Sequence, residues 1–575
     1  MVNTPLELTT DVLVVGAGAA GMMAARAASD GGASVVLLDK SIIGRGGATV
    51  LAQMTVAAAL GEAEPDTPEI HFSDTMTGSR GMANPEIVRL VVEAAPADVR
   101  RLEKYGVDWA RTLDGRRRQV SAPGHSRQRC VFVDMLKTGE GVSAALRKVT
   151  RRDPSIIRLQ NAMITRLVQS PDGVVGAAGV TLGDLTPLWI SAGAVVIASG
   201  GLTKMYARSS ASTNMTGDGL LLAARAGATI SDLEMVQFFP IAHLYPPLIH
   251  LDPIMWDPFR YKLGGRLLNS GGEEFMRTAA GEVAGRYTAT RDDTTRAIYD
   301  EVEAGRGSPH GGVFLDFRST PPSELREAFG PVVEILAEHG IDLTRDMVEV
   351  APMAHFLLGG IRVDTMMRTD VPGLLACGET IAGMHGANRL SGNAITEAVV
   401  TGRVAGASAA SDARNRPARS SVERAGREEL DRLTHFWHPR DVPRDEALVG
   451  SYTDRFRQLA WETIGPLRTG DVLRRACTEF RRLRDEVDGI ALAPERVYPM
   501  SLQEKIELRT MLVLAEGIAL GAEARTETRG AHVRIDCPDA WPTATNTEFH
   551  LGPDDEWRME STPAPGPAEP VPGTA

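Results

Sequence analysis

Residues 11–15, apolar after Asp11, form a short strand pattern that runs directly into Gly16-Ala17-Gly18-Ala19-Ala20-Gly21. The small-residue stretch 22–29 predicts a closely packed helix, and a second apolar run at 34–38 ends at Asp39. Strand, helix and strand in that order match a nucleotide-binding βαβ unit of ~30 residues. Gly16, Gly18 and Gly21 permit a tight turn and the close approach of a pyrophosphate, with Ala19 and Ala20 opening the helix. Asp39 is placed to accept hydrogen bonds from an adenosine ribose.

Two later strand patterns end in similar turns. Residues 194–198 finish at Ala198 and lead into Ser199-Gly200-Gly201, and residues 373–379 lead into a Gly-Glu turn at Glu379. A nucleotide-binding fold that returns to its site from distant segments suits a long cofactor such as FAD. Between these returns, residues 237–354 are more polar and Pro-rich, which predicts a separate lobe closing over the cofactor. Beyond residue 420, apolar positions three and four apart predict helices at 421–436, 445–464, 469–488 and 501–524. They read as an amphipathic bundle with solvated outer faces.

The length, 575 residues, exceeds one compact core and predicts several domains. A net charge of −12 removes the basic footprint that a nucleic-acid or anionic-membrane binder needs. The basic run Arg116-Arg117-Arg118 follows Asp114-Gly115 and reads as a solvated loop. Apolar runs are too short for a membrane span, and the first residues carry no export pattern, so the expected compartment is cytoplasmic. Cys130, Cys377, Cys477 and Cys537 are scattered, which predicts neither a disulfide framework nor an in-chain iron–sulfur or zinc site. Residues 561–575 are rich in Pro, Gly, Ala and Thr and predict a disordered tail.

The segment 378–406 concentrates the candidate chemistry. Glu379, His385, Asn388, Arg389 and Asn393 lie among glycines before an apolar helix. Such an entrance predicts a loop that holds an anionic ligand at a helix N-terminus, where unpaired N–H groups and the dipole favour negative charge.

With this segment in view, the chain resembles the flavoprotein subunit of succinate dehydrogenase and fumarate reductase, a family that includes L-aspartate oxidase. The matching stretches, in the family's order, are GAGAAG at 16–21, AQ with its apolar run at 52–61, GHSRQR at 124–129 and ASGG at 198–201. They continue as TGDG at 216–219, RLLNSGGEEFM at 266–276, ATRDDTTRAI at 289–298 and GGVFLDF at 311–317. PMAHFLLGGI at 352–361, HGANRLSGNA at 385–394 and TETRGAHVRIDCP at 526–538 complete nearly the whole chain. The resemblance implies an α/β fold: a Rossmann-like FAD-binding domain in two parts (1–236 and 355–417) with an inserted α+β capping domain (237–354). A helical domain (418–525) and a C-terminal segment (526–575) follow.

It also implies roles for residues. Hydride passes between a substrate carbon and the flavin while Arg291, in the family's RD position, moves a proton at the neighbouring carbon. An arginine is a poor acid, so this needs a relay, for which Asp292 is a candidate. His355 and Arg389 match the substrate-binding pair, and Arg389 suits a bidentate carboxylate clamp. Glu379 matches an FAD-ribitol ligand. The cofactor set extends to Lys40, Thr49, Ser199, Gly200, Asp218, Asn393, Ala394 and Ile395, with Arg389 contributing.

Two departures modify the expectation. Ala48 stands where the family's covalent attachment uses His, so FAD is expected to be non-covalent, which tilts the reading toward reduction or toward an easily oxidised substrate. The family's His-Pro-Thr run becomes Phe239-Pro240-Ile241, and Asp257-Pro258 replaces a Thr-Glu pair. One carboxylate clamp stays intact while the facing wall turns apolar, with Phe239 and the neighbouring His243 as its candidate substrate contacts. The expected function is interconversion of saturated and α,β-unsaturated carboxylates such as a substituted dicarboxylate. The alternatives are an L-aspartate-oxidase-like amino-acid oxidase and a flavin electron-transfer subunit of an iron–sulfur partner complex. Electrons are expected to pass to a separate iron–sulfur protein or a diffusible acceptor.

Overall fold

The computed structural model describes residues 4–134, 136–248, 254–256, 260, 263–279, 281–282, 289, 291–330, 332–415, 419–436, 447–490, 492 and 500–565. Its main sheet is built around strand Leu6–Val15, which pairs in parallel with Val35–Asp39 on one side and Pro187–Ile197 on the other. Ile156–Gln160 extends the sheet beyond Val35–Asp39, and Leu374–Ala376 pairs in parallel with Pro187–Ile197. The antiparallel strands Gly173–Thr181 and Ala162–Ser170 complete it. Parallel strands covered on both faces need continuous apolar sequence, and Val12 to Val15 and Val35 to Leu38 supply it, each residue buried.

Helices Ala19–Asp30 and Asn393–Asp412 cover this sheet side by side. Their approach is closer than a side chain allows: a Cβ on Gly402 would lie 2.3 Å from the Ala20 carbonyl oxygen. The two helices therefore enter the same cleft, their N-termini at Gly18 and Gly392 both lacking a side-chain cap.

A second, antiparallel sheet runs in the order Val236–Tyr245, Val348–Leu357, Val313–Asp316, Arg266–Leu268. Its own apolar cluster gathers Ile241, Trp256, Leu267, Phe317, Phe329, Leu336 and Val350. The strand Val236–Tyr245 links the two cores, because Val236 and Phe238 belong to the main core and Ile241 to the second. These sheets give the expected architecture, a Rossmann-like FAD-binding domain with a capping and a helical domain.

The helical part corrects one expectation. Helices Ala447–Ile464, Gly470–Asp488 and Met500–Ala524 pack together, but Arg419–Phe436 lies against the main sheet, where Val422 and Leu430 meet Trp189 and Val175. Nor is the last helix solvated on an outer face. From Leu508 to Ala522 it is buried nearly all round, with Trp557 donating to the Val513 carbonyl at 2.8 Å. A helix apolar on every side is a core helix, and this one is enclosed by its neighbours and by the C-terminal strands.

Those strands, Thr545–Leu551 and Trp557–Pro563, form a hairpin that joins Ile230–Ser231. Ser561 pairs with Thr547 and Pro563 with Thr545, so residues 561–563 are strand where composition predicted disorder. Residues 566–575 lie outside the described set. Among the described residues no helix is long and apolar enough to cross a membrane.

Candidate active site

The cleft between the two sheets holds about 1700 Å³ of free space, solvent at its mouth included. At one end lies the turn after Leu6–Val15. Gly21 is tucked beneath it, where a Cβ would fall 1.8 Å from the Gly16 carbonyl oxygen. Gly16, Gly18, Ala19 and Ala20 line the cleft above it, and the Ala19 N–H donates to Thr49 Oγ1 at 3.1 Å. Asp39 closes Val35–Asp39 and lines the cleft, its carboxylate accepting from the Ala17 N–H at 2.7 Å and the Ser41 N–H at 2.8 Å. These bonds hold the turn and leave room on the carboxylate for further donors.

Lys40 is fully occupied: its ammonium donates to Thr216 Oγ1 and Asp218 Oδ2, each at 2.6 Å, and to Glu507 Oε1 at 2.9 Å. Glu507 comes from the last long helix and also accepts from Lys204 at 2.9 Å, so the helical part reaches the cofactor end. Asp218 Oδ1 and Ser199 Oγ are buried without a partner, and both residues line the cleft. Buried polar atoms cost free energy unless paired. These two atoms, and two helix N-termini whose N-cap glycines supply no acceptor, are what a bound dinucleotide would satisfy, so the residues present fit FAD.

At the other end, Glu379 accepts from the Leu357 N–H at 3.1 Å. Burial pushes its carboxyl up to about 8, against the pull of that N–H and of Arg389. Ala394 and Ile395 line the cleft at the start of Asn393–Asp412, beside Ala198 and Gly200. Asn393 does not join them. Its side chain is fully buried the other way, hydrogen-bonded to His71 Nε2 at 2.9 Å and donating to Thr75 Oγ1 at 3.2 Å. It fixes the helix start and is withdrawn as a side-chain cofactor contact.

Arg389 lines the cleft with 5% of its surface exposed, its guanidinium 4.5 Å from the Phe356 ring centre. Its Nε has no partner, and Nη1 reaches only the Leu390 carbonyl at 3.4 Å. Burial, with Arg291 adding repulsion, lowers it to about 9, while Glu379 and Glu397 oppose the change. It stays charged at neutral pH, and a buried cation with unused donors is an anion slot. His385 sits behind it, Nε2 3.0 Å from Glu397 Oε2 and outside the cleft lining, so it orients the loop.

His355 is held through Nδ1 by Ser210 Oγ at 2.8 Å, and Ser210 Oγ lies 3.2 Å from the Ala354 carbonyl. Burial, then Arg389 and Arg291, drive its protonation well below the usual range. The ring is therefore neutral, and one hydroxyl hydrogen decides its tautomer: given to Nδ1, it leaves Nε2–H free to donate. Arg291 opens helix Arg291–Glu303 with its guanidinium 5.0 Å from the Phe239 ring centre, and Phe239 lies 5.2 Å from the His355 ring. Burial pushes Asp292 up to about 6, with Arg80 and Arg291 opposing and Asp293 adding to the rise.

The facing wall is apolar. Phe239, Met54 and Met255 line the cleft, and Ala242, Met353 and Leu244 pack with them. His243 is not on it. Its Nε2 donates to the Pro246 carbonyl at 2.6 Å and its Nδ1 accepts from Trp256 Nε1 at 3.2 Å, inside the cap. Of three irregularities in this strand pairing, the one between Phe239 and Ala242 shifts the side-chain alternation and turns His243 away. His243 is thereby withdrawn as a substrate contact. Asp257 lies outside the described residues.

Comparison with known proteins accounts for this arrangement. The FAD binding domain family matches residues 11–395, and the fumarate reductase flavoprotein C-terminal family matches 453–565. One relative, from the fumarate reductase (CoM/CoB) of Methanothermobacter marburgensis, is 35% identical over 92% of this chain and 95% of its own. The chain belongs to the fumarate reductase and succinate dehydrogenase flavoprotein family. This flavoprotein is also 32% identical to L-aspartate oxidase of Streptomyces coelicolor, over 97% of its length and 94% of the relative's. Among solved structures it resembles an E. coli quinol fumarate reductase FrdA variant, with TM-score 0.90 and 27% identity, covering 99% of each chain. It is an FAD-dependent oxidoreductase of this family.

The sequence did not single out several residues of the flavoprotein's cleft. Met54 follows the AQ pair and Met255 precedes Trp256, but neither carries a local signal. Ser210 is one hydroxyl in a run of small polar residues, and only the fold shows which one meets His355. His125 and Arg129 of the GHSRQR stretch support the Arg389 loop: His125 Nε2 is 2.7 Å from the Ser391 carbonyl, and Arg129 is buried against Asp66 and Asp74 at 3.1 and 2.9 Å.

Proposed function

We propose that this flavoprotein interconverts a saturated and an α,β-unsaturated carboxylate with FAD held non-covalently. The observation that carries the reading is the buried guanidinium of Arg389, its Nε unpartnered, on the same cleft as Arg291 and His355. Ala48 lines the cleft and offers no nucleophile for a covalent link. Bound FAD supplies the hydride acceptor or donor at its N5.

The chain's own residues do the rest. Arg389 grips the substrate carboxylate in a two-pronged contact, and His355 donates a further hydrogen bond through Nε2. Arg291 holds a proton at the carbon next to the one that exchanges hydride. Phe239, under its guanidinium, keeps water from that proton and fixes the plane of the group. Asp292 is placed in sequence and charge to return the proton. The reading divides the chain as 1–236 and 355–417 for the cofactor, 237–354 for the cap, 418–525 for the helical part and 526–575 beyond it.

Electrons leave or arrive through a separate iron–sulfur protein or a diffusible acceptor. Cys130, Cys377 and Cys477 are buried and unpaired, and burial raises each thiol, Cys130 to about 12 and Cys477 to about 11. Unpaired thiols fit a reducing, cytoplasmic setting. The amino-acid oxidase reading is less favoured: a substrate ammonium needs an ionised acid facing it. Of the described acids lining the cleft, Asp39 and Asp218 serve the cofactor end, and burial pushes Glu379 up to about 8.

Anaerobic flavin reduction or reoxidation across a carboxylic-acid panel tests the reaction, with Arg291→Lys as the control. A flavin spectrum indifferent to every acid, or full turnover by the variant, refutes it. Peroxide and imine formed from an amino acid would instead establish the oxidase reading.

A further inference from the structure

The cations that line the cleft among the described residues are Lys40, Arg291 and Arg389. Lys40 has each of its three donors engaged by Thr216, Asp218 and Glu507. Arg389 takes one carboxylate under the reading above, and Arg291 is required at the reacting carbon. Among the described residues, a second carboxylate would then face Phe239, Met54 and Met255. Phe239 is 2% exposed and Met255 7%, and behind them Ala242 and Met353 continue the same apolar cluster inward.

An ionised carboxylate laid on such a surface loses its hydration and gains no charged partner in return, the buried Thr55 hydroxyl next to Met54 in sequence being a single neutral donor. An apolar group gains the contact area instead. Methionine thioethers adjust to varied shapes, and the Phe239 ring offers an aromatic partner. Phe239, with the Arg291 guanidinium 5.0 Å from its ring centre and the tilted His355 ring 5.2 Å away, is where the charged half of the site meets the apolar half.

We propose that the substrate is a monocarboxylate whose reacting carbon pair carries, on the side away from the carboxylate, an apolar alkyl, aryl or thioether group seated on Phe239, Met54 and Met255. The proposal rests on the carboxylate reading given above and specifies its substrate class.

The test uses the FAD holoenzyme. Dithionite-reduced enzyme is mixed anaerobically with fumarate, crotonate, trans-2-hexenoate and cinnamate, and flavin reoxidation is followed. Binding of succinate, hexanoate and 3-phenylpropionate to the oxidised holoenzyme is measured from the flavin difference spectrum. The better of hexenoate and cinnamate is expected to exceed fumarate by about 100-fold in kcat/KM, and its saturated counterpart to bind more tightly than succinate. Phe239→His should narrow the ratio by about 10-fold; Met255→Thr serves the same purpose should the first variant not fold. Fumarate reacting as well as or better than the apolar acids overturns this inference and leaves the carboxylate reading standing. Reoxidation by none of the acids overturns both. An unchanged ratio in both variants removes the apolar group from this wall.

Discussion

Arg389 and Phe239 face one cleft from opposite sides, and each is buried for a different reason. Phe239 is comfortable without a ligand: Ala242, Met255 and Met353 pack with it, and burial there is ordinary core formation. Arg389 is not, because its Nε is buried and unpaired and Arg291 repels it. Leaving a buried charge uncompensated costs about 3–5 kcal/mol in proteins where it has been created by removing a partner. The charged side thus holds energy that only an anion releases, while the apolar side stores none. On the reading proposed above, binding strength comes from the first and selectivity from the second.

The sharpest way to break this comparison is to remove the charge. Arg389→Met should lower kcat/KM per bound flavin by on the order of 10³-fold, and Arg389→Lys should recover little, since a point charge cannot form two parallel bonds. Near-normal kinetics in the lysine variant would show that the charge alone matters. Arg291→Gln acts on the chemistry rather than the grip. Turnover should fall by ~10²–10⁴-fold, with binding of a saturated acid altered less than about threefold. Weakened binding of the same size as the rate loss would place Arg291 in the clamp instead.

Smaller effects refine the boundary between the two sides. Ser210→Ala should cost about 10-fold in kcat/KM by releasing the His355 tautomer, and Ser210→Thr should restore it; a threonine variant as slow as alanine argues for packing alone. The smallest effect is on stability. Glu379 is raised in the folded state, so folding takes up a proton between its unfolded value and about 8. The apoprotein should therefore lose stability as pH rises from about 5 to 8 and level off above, and Glu379→Gln should flatten that slope in thermal melts. A slope unaltered by the glutamine would mean that another acid carries it; Asp232, raised to about 7 by burial beside Glu234, is the next to test.

Much of the fold was legible because periodicity reports which face of an element is apolar. The strand–helix–strand at Gly16 and Asp39, the return at Glu379 and the helices near their expected ends all follow from it. Periodicity does not report what covers that face. Arg419–Phe436 showed the same spacing as its successors yet packs on Trp189. In the site, Arg389 stood out because a cation among glycines before an apolar helix has no structural use. His243 misled for a local reason, since the irregular pairing around Phe239 breaks the two-residue alternation from which its direction would be read. Asn393 misled because a helix's first residue can serve the ligand through its backbone while its side chain points to the core.

Phe239 and His355 ride on neighbouring strands, Val236–Tyr245 and Val348–Leu357, the pair that joins the cap to the main core. Arg389 rides on neither; its loop leads into Asn393–Asp412 beneath the cofactor end. A cap swinging on that strand pair would carry Phe239 with it and leave His355, flanked by Ala354 and Leu357 of the main core, beside Arg389. On the reading proposed above, opening would uncover the apolar half of the site while the anion slot stays assembled, so an acid would let go of the wall before it lets go of the clamp.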